Sequence, residues 1–383
     1  MPGLRVLITN TTLASLTGSE TYVRDLALGL LRKGHTPIVY SPELGPIAQE
    51  LRKATVPVVD NLDAVAMVPD VIHGNHNADL MTALLHFPSV PAVFFCHSWT
   101  EWLASPPFHP RIKMYVAVDD TCRDRLQCEH GIAAEHLCVF LNAIDLERFK
   151  PRGPLPDRPR RALIFSNNAN EHSHLGVVRE ACDKAGIELN VIGSGVNAST
   201  SKPELVLEKY DLVFAKARCA LESLAVGAAV ILCDVSGSGP LVTTAELEEL
   251  RRLNFGIRTL REKLNVDLLL REIERFDPHD AAEVSRRVRA TAGLDTFIES
   301  VLGLYFEIIA EHTRAPAPDP LAESRAAAAY LRWQTLTVRM KQAEYAKMVA
   351  DSLTLRLRHR IARFPLLDRP LHLLAHMVRR NGT

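Results

Sequence analysis

The sequence contains no apolar run long enough to span a bilayer, which takes about 20 consecutive residues. The N-terminal residues MPGLRVLITN lead directly into a strand-like segment and show no signal-peptide features. We therefore expect a cytoplasmic protein, with a peripheral position on the inner face of the membrane as the alternative. Aromatic residues make up only 6% of the chain while 47% of it is hydrophobic, which is typical of soluble enzymes and excludes disordered and fibrous classes.

Cysteine pairs are missing as well. The seven cysteines are an odd number and form no C-x-x-C motif, which argues against a disulfide framework and against a zinc cluster. The sequence also lacks a D-x-D motif. We therefore expect reduced thiols and no catalytic metal.

A net charge of one sign is absent, because 45 basic residues balance 45 acidic ones. Residues 321–383 nevertheless hold twelve Lys or Arg and four acids. A neutral chain with a basic tail is not a general nucleic-acid binder, so nucleic acid is not an expected partner and the tail needs its own interpretation.

Apolar strand-like runs alternate with helical ones, the order expected of parallel sheets covered by helices. A chain of 383 residues also predicts more than one domain. We expect an α/β fold of two Rossmann-like halves facing one cleft. The predicted organisation is a first domain over 1–146, a proline-rich linker over 147–161, a second domain over 162–312 and a basic helical extension over 313–383.

Ligands of such sheets bind at the carboxyl ends of the strands, where helix N-termini present free amides. The segment Thr17–Glu20 precedes a helix, and Gly18 permits close approach of the backbone to a ligand. Thr17 and Glu20 also have capping-box spacing, so an ordinary helix cap is the alternative. Gly193, after the strand ELNVI, either cradles a phosphate or only turns the chain.

The segment from Asp211 to Asp234 contains a buried-type strand, then Lys216 and Arg218, then a helix rich in small residues. Glu222 is an acid in this otherwise apolar helix, and it must face either solvent, the more common case, or a ligand hydroxyl. The glycines of VSGSGP, Gly237 and Gly239, could bring backbone amides to a sugar or phosphate; a plain loop is the alternative.

Four segments occur in a characteristic order: TGSE opening a helix that ends in LLRKGH, then HSW, then VFLNAIDLERF, then ALESLAVGAAVIL. Together they resemble the retaining GT-B glycosyltransferases that use nucleotide-sugar donors, a group 1 or family 4-like set of which this chain is a divergent member. The resemblance covers residues 4 to about 312. It implies the GT-B architecture, with the donor bound mainly by the C-terminal domain and the acceptor mainly by the N-terminal one.

The resemblance also implies roles for single residues. Gly18 would lie near the donor phosphates, Glu222 would bind the donor ribose, and His97 would contact the transferred sugar. On position alone, a hydrogen-bonded core histidine is the alternative for His97. Asn142 and Asp145 have a structural role by the same resemblance. The implied ligands are a nucleotide-sugar as substrate, with no cofactor, and a glycan, lipid or small-molecule acceptor that the sequence does not identify.

The chain departs from the family pattern at two places. The acid expected eight positions before Glu222 is replaced by Phe214, and the arginine and lysine expected after the first strand of the second domain are replaced by a stretch that begins at Ser166. We retain Ser166 as a donor-site candidate and expect Lys216 and Arg218 to bind the diphosphate instead. Two alternatives stay open: a catalytically silent nucleotide- or glycan-binding scaffold, and a sugar-nucleotide epimerase.

The C-terminal extension goes beyond the family pattern. Residues 321–350 predict a long Ala-rich helix. After it, Leu353, Leu357, Ile361 and Phe364 would share one helix face beside arginines, which suits an anionic membrane surface or an acidic partner protein. Because leucines alternate with other residues over 353–357, a strand is an alternative structure there. A helix docked on the acidic body is a further alternative.

If residues 321–383 bind membranes, deleting them removes binding to anionic liposomes, because the basic side chains supply the attraction. The measurement is liposome pelleting of the intact and the tail-deleted protein, with neutral liposomes as the control. Equal pelleting of both proteins rejects membrane binding through the tail.

Overall fold

The computed structural model describes residues 3–15 and 17–362, with side chains described up to residue 349. One compact unit extends to Asp319 and a second begins at Pro320. The first unit contains two β-sheets, of seven and five strands. This arrangement confirms the predicted alternation of strands and helices.

The first half carries the seven-stranded sheet and its helices. Its elements are β1 (Arg5–Thr9), α1 (Gly18–Arg32), β2 (Thr36–Tyr40), α2 (Pro46–Lys53), β3 (Val58–Val59), β4 (Val71–Gly74), α3 (Asn77–His86), β5 (Ala92–Cys96), β6 (Ile112–Ala117), α4 (Asp120–Asp124) and β7 (Leu137–Val139). The strand order is β3-β2-β1-β4-β5-β6-β7, and every neighbouring pair is parallel. The central strands β1, β4 and β5 are buried along nearly their whole length because helices cover both faces of such a sheet.

The second half carries the five-stranded sheet. Its elements are β8 (Arg161–Phe165), α5 (Leu175–Ala185), β9 (Glu188–Ile192), α6 (Glu204–Leu207), β10 (Leu212–Ala215), α7 (Ala217–Val226), β11 (Ala229–Asp234), β12 (Gly237–Leu241), α8 (Leu247–Arg252), α9 (Val266–Glu274), α10 (Pro278–Thr291) and α11 (Leu294–Arg314). The order is β12-β11-β10-β8-β9, with only β12 antiparallel to its neighbour. The segment from Asp211 to Asp234 is thus a strand-helix-strand unit at the centre of this half.

The alternative of a plain loop at VSGSGP is wrong, because Gly237 and Gly239 lie in the antiparallel strand β12. A Cβ atom on Gly237 would lie 2.7 Å from the carbonyl oxygen of Glu262, and one on Gly239 would lie 2.5 Å from that of Thr259. The glycines are therefore required because a neighbouring backbone approaches closely. Ser238, between them, exchanges two backbone hydrogen bonds with Glu262, of 2.9 and 3.0 Å.

The chain crosses between the two halves twice at one place. The amide of Ile144, on the way out, donates to Ala292 O (2.8 Å), and the amide of Leu294, on the way back, donates to Ile144 O (2.9 Å). Helix α11 lies within the sequence range of the predicted second domain, yet it packs on the first half. There Gly29 of α1 allows the helices to approach, since a Cβ atom on it would lie 2.7 Å from Cδ1 of Ile298.

The second unit contains α12, which extends from Pro320 to Ala362. The predicted helix over 321–350 is confirmed, and the strand alternative for 353–357 is wrong because the helix continues through those residues. Phe364 lies outside the described residues. Several large apolar side chains of α12 are exposed, including Leu331, Met340 and Tyr345. Across the part of the chain that the structure describes, no helix combines the length and apolarity needed to cross a membrane.

A buried histidine joins α11 to the first sheet. His73 of β4 is fully buried, its Nδ1 lies 2.7 Å from the hydroxyl of Tyr305 in α11, and its Nε2 lies 3.3 Å from the hydroxyl of Tyr22 in α1. Its ring also stacks on Phe95 at 4.2 Å between centroids. Burial among these rings lowers the pKa of His73 to about 3.

This pKa makes stability depend on pH. Between about pH 6.5 and pH 3, His73 is protonated in the unfolded chain but neutral in the folded protein. The free energy of unfolding therefore decreases as the pH is lowered through this range. In His73→Gln that contribution disappears, and the loss of stability between pH 6 and 4.5 becomes smaller by about 2 kcal/mol. Urea denaturation across this range measures the effect. His172→Gln, at an exposed histidine, is the control, and equal pH slopes in wild type and His73→Gln would contradict the assignment.

Candidate functional site

The first part of the candidate site is the N-terminus of α1. Glu20 is 1% exposed, and it accepts hydrogen bonds from the hydroxyls of Ser15 (2.7 Å), Ser19 (3.1 Å) and Thr17. Thr17 occupies the N-cap position of α1, but its side chain bonds to Glu20 and caps no backbone amide. The hydrogen bonds of a capping box are therefore not formed. Gly18 has open space where a Cβ atom would be, so its neighbourhood is accessible.

His97 follows β5 at the carboxyl edge of the first sheet. Its Nε2 lies 2.8 Å from Oδ1 of Asn75, whose Nδ2 donates to Thr9 O (3.0 Å). Since this bond makes Oδ1 the acceptor, Nε2 of His97 carries the hydrogen and Nδ1 is left as an acceptor. The half-buried ring lies 4.5 Å from that of Tyr22. Burial, with repulsion from His76 and other nearby groups, lowers the pKa of His97 to about 3, so the imidazole is neutral.

The connection between β10 and α7 is one residue long. Strand β10 ends at Ala215 and α7 begins at Ala217, with Lys216 between them. The count of eight positions back from Glu222 therefore places Phe214 inside β10, where it is fully buried in the core. Phe214 is thus a core residue of the sheet, and the position that holds an acid in the family pattern holds a buried aromatic side chain here.

Strained backbone holds the start of α7. Ala217, Asn254 and Phe255 all have positive φ, at 52°, 53° and 52°, although none is glycine. The amide of Ala217 donates to Phe255 O at 2.8 Å. Such conformations are unfavourable by about 1 kcal/mol or more each and persist where the surrounding structure imposes them. Their meeting at the start of α7 is typical of a functional site.

Arg218 connects the two halves through an ion pair. Its Nη2 contacts Oδ2 of Asp25 in α1, and its Nε lies 2.8 Å from Oε1 of Glu222 in its own helix. A second arginine, Arg24, lies 2.8 Å from Oδ1 of Asp25. The alternative of a solvated Glu222 is wrong, since the residue is 6% exposed.

The pKa values in this cluster reflect both burial and pairing. Burial acts to lower the pKa of Arg218, but Asp25 and Glu222 outweigh it and raise that pKa. Burial acts to raise the pKa of Asp25, but Arg218 and Arg24 outweigh it and lower that pKa. Burial raises the pKa of Glu222 against the opposing attraction of Arg218. Arg218 and Asp25 therefore form the firmly charged pair, with Glu222 attached to it.

A cavity of about 100 Å³ lies between the two halves beside this cluster. It brings together four of the residues predicted from sequence: Gly18, Gly193, Arg218 and Glu222. The remaining lining comes from both halves and consists of Thr17, Thr21, Arg24, Arg148, Phe165, Asn167, Ile192, Ser199, Thr200, Ser201, Pro203 and Cys219. We call this space the donor cavity, after the donor-site residues predicted from sequence that line it.

The other predicted site residues lie outside its lining. Lys216 is paired with Asp234, which is 1% exposed and also accepts from Ser166 Oγ at 3.2 Å. Burial acts to raise the pKa of Asp234, but the bond from Lys216 outweighs it and lowers that pKa. Gly237 and Gly239 lie in β12. His97 lies beside Tyr22 on the first half.

Gly193 combines a structural requirement with its place in the cavity wall. A Cβ atom on it would lie 1.9 Å from Ser166 O, so only glycine fits. The following amides are used by the protein itself, because Ser194 N donates to Oδ1 of Asn167 (3.0 Å) and Gly195 N donates to Asn167 O (3.0 Å). The turn is thus held by the protein, and these amides are not free for a phosphate.

Sequence reasoning missed Arg24, Arg148 and Asp234. Arg24 is 4% exposed in the apolar helix α1, one turn after Glu20. Arg148 donates to Ser201 O at 2.9 Å and pairs with Glu204 at 2.8 Å. The sequence signal for Arg24 is a charged residue inside an apolar helix, and that for Asp234 is an acid at the carboxyl end of an apolar strand. Within the described ranges, no group of three or more His, Cys, Asp or Glu is arranged to hold a metal.

Comparison with known proteins supports this fold. Residues 16–148 match the family model described as Glycosyltransferase Family 4. No curated protein sequence matches significantly. Among solved structures, a glycosyltransferase from Rickettsia africae shares 15% identity over 81% of this chain and 99% of its own, with a TM-score of 0.58. HepE from Anabaena, solved with UDP-glucose, shares 14% identity over 79% of this chain and 100% of its own, with a TM-score of 0.56.

The structural similarity extends over both sheets of this chain and nearly the whole of each neighbour. It confirms the predicted fold class of two Rossmann-like domains facing a cleft. The chain therefore has the GT-B fold, and its residues 16–148 are similar to Glycosyltransferase Family 4.

Proposed function

We propose that the protein is a glycosyltransferase that moves a sugar from a nucleotide-sugar donor to an acceptor, with retention of configuration and without a metal. The observation that carries the proposal is the donor cavity, which unites Gly18 of the first half with Gly193, Arg218 and Glu222 of the second. Solved HepE carries UDP-glucose on the same fold. Retention follows the family resemblance.

Glu222 is suited to bind the ribose. Its Oε1 is occupied by Arg218, whereas its Oε2 accepts no hydrogen bond from any described residue. A buried carboxylate oxygen with free lone pairs accepts strongly from sugar hydroxyls. Arg218 meanwhile orients the carboxylate, so the acid is presented to the cavity in one fixed position.

The diphosphate would lie at the start of α7. The amides of Arg218 and Cys219 precede the first hydrogen bond of this helix, from Ala220 N to Lys216 O at 3.4 Å. Free first-turn amides and the helix dipole favour an anion. The guanidinium groups of Arg24 and Arg218 line the same cavity and add positive charge where the leaving group becomes more negative.

His97 is suited to contact the transferred sugar as a neutral acceptor. Its Nδ1 faces no described hydrogen-bond donor, and its pKa of about 3 keeps the ring uncharged at neutral pH. A neutral imidazole can accept from a sugar hydroxyl without repelling the nearby arginines. We therefore assign His97 a role in positioning the sugar.

The donor cavity must widen when a donor binds. Its volume of about 100 Å³ is smaller than the roughly 300–1,000 Å³ of typical ligand sites. The contact between Arg218 and Asp25 joins its two walls. Donor entry therefore separates the halves at this contact, and the diphosphate takes the place of Asp25 beside the guanidinium.

Substitution of the two predicted cations should have unequal effects. Arg218→Gln should weaken nucleoside diphosphate binding about tenfold more than nucleoside binding, because only the diphosphate loses a charge-assisted bond to phosphate, whereas the effect through Glu222 is common to both ligands. Lys216→Gln should change both affinities little, because Asp234 already holds the ammonium group. Calorimetric titration gives both affinities, with Arg179→Gln on the exposed face of α5 as the control.

The nucleotide for that titration is chosen by a thermal-shift panel of ADP, CDP, GDP and UDP, since a ligand of the folded state raises apparent stability. No shift with any nucleotide contradicts the proposed function. A larger effect of Lys216→Gln than of Arg218→Gln contradicts the assignment of Arg218 to the diphosphate.

Incubation with donor alone separates the three candidate activities. A transferase should hydrolyse the matching nucleotide-sugar slowly, because water can replace the acceptor in the open cleft. Hydrolysis should persist in EDTA, and Glu222→Gln should reduce it by raising the KM for donor. Products are followed by chromatography. Isomerised sugar would indicate an epimerase, and donor binding without turnover would indicate a scaffold protein.

A further inference from the structure

A second and larger cavity lies on the side of the molecule where the chain crosses between the halves. Its volume is about 830 Å³. It shares no lining residue with the donor cavity. We call it the hinge groove, and its lining consists of Val139, Phe140, Leu141, Ala143, Thr244, Ala245, Leu247, Glu248, Arg251, Arg252, Arg286, Arg287, Val288, Ala290, Thr291, Gly293, Thr296, Phe297 and Ser300.

Arg251 of α8 is the unusual residue in this lining. Its Nη1 donates to Oδ1 of Asn254 (3.0 Å) and its Nη2 donates to Asn142 O (2.5 Å). Its buried Nε has no hydrogen-bond partner, and no carboxylate among the described residues pairs with it. Burial without a counter-charge lowers the pKa of Arg251 to about 10. The side chain therefore carries a positive charge that the protein leaves uncompensated.

The other charges of the hinge groove leave it positive. Arg286 and Arg287 share one carboxylate, that of Glu283, at 2.6 and 2.7 Å. Arg252 pairs with Asp120 at 2.7 Å. Glu248, the acid in the lining, is exposed to solvent. Positive charge concentrated in a concave surface attracts an anion.

A purely structural role for Arg251 leaves part of this arrangement unexplained. Arg289, in α10, is also half-buried, and no carboxylate of a described residue pairs with it. It donates instead to three carbonyl oxygens, those of Phe149 (2.6 Å), Ala225 (3.0 Å) and Leu146 (3.4 Å). It is not part of the hinge-groove lining. Arg251 has fewer acceptors, an unsatisfied Nε and a wide groove beside it.

The body of the hinge groove is apolar. Phe140, Leu141 and Phe297 line it together with several small aliphatic residues. Its volume falls within the range of sites for small organic molecules, which are mostly apolar with a few placed polar groups. The ligand that complements such a surface has an apolar or ring-shaped body and one anionic group.

We propose that the hinge groove binds a small organic anion, with an apolar body against Phe140 and Phe297 and its phosphate, sulfonate or carboxylate group on Arg251. Because the lining comes from both halves and from the segment that joins them, the ligand contacts the region about which the halves move. The inference does not depend on nucleotide binding in the donor cavity.

The probe is 8-anilinonaphthalene-1-sulfonate, whose fused rings and single sulfonate match this surface and whose fluorescence rises in apolar surroundings. The folded wild-type protein should bind it saturably at one site. Arg251→Gln, which retains hydrogen-bond donors but removes the charge, should weaken binding by about tenfold, as expected for losing one charge-assisted bond. Thr296→Trp, at an exposed lining position, should weaken it comparably by filling the groove.

Arg289→Gln is the matched control, because it removes a half-buried arginine of similar environment outside the groove, and it should bind the probe as the wild type does. Circular dichroism confirms folding of each variant, and Thr296→Trp keeps the test decisive if Arg251→Gln fails to fold. Unsaturable binding by the wild type, unchanged affinity in both groove variants, or equal loss in Arg289→Gln would each overturn the proposal.

Discussion

The ion pair between Arg218 and Asp25 is the interaction on which the geometry of the cleft depends. It joins α7 of the second half to α1 of the first, and both side chains are largely buried. Removing an ion from water is unfavourable by several kcal/mol, which close opposite charges offset. Here Arg24 and Glu222 complete a group of two cations and two anions. Because the charges of this group balance, the halves remain in contact although the charged side chains are buried.

Much of the fold could be predicted from sequence because its signals are local. The buried runs of β10 and β11, the small residues of α7 and the glycine after it lie close together in the chain, and Gly227 has the left-handed φ of 100° that ends a helix. The packing of α11 on the first half could not be predicted in this way. Its apolar face is visible in the sequence, but the surface it covers depends on Gly29 and His73, more than 200 residues away.

The candidate site was predictable to a similar degree. Glycines and charged residues near the carboxyl ends of strands indicated Gly18, Gly193 and Arg218, and the acid in an apolar helix indicated Glu222. All four line one cavity. Which charged side chains pair with each other was not predictable. From the sequence, Lys216 and Arg218 are equivalent candidates for binding the diphosphate. The register of β11 beside β10 places Asp234 against Lys216, so the charge of Lys216 is paired outside the cavity. Such pairing depends on tertiary geometry, which periodicity does not contain.

The double crossing at Ile144 limits how the two halves can move. Two chain segments run side by side there and are joined by hydrogen bonds at Ala292 and Leu294. A single linker would allow the halves to twist as well as to open. Two bonded segments bend together but resist twisting and sliding, so the permitted motion is close to rotation about one axis. The two paired segments therefore hold the halves in one alignment, in which their facing loops meet in one register.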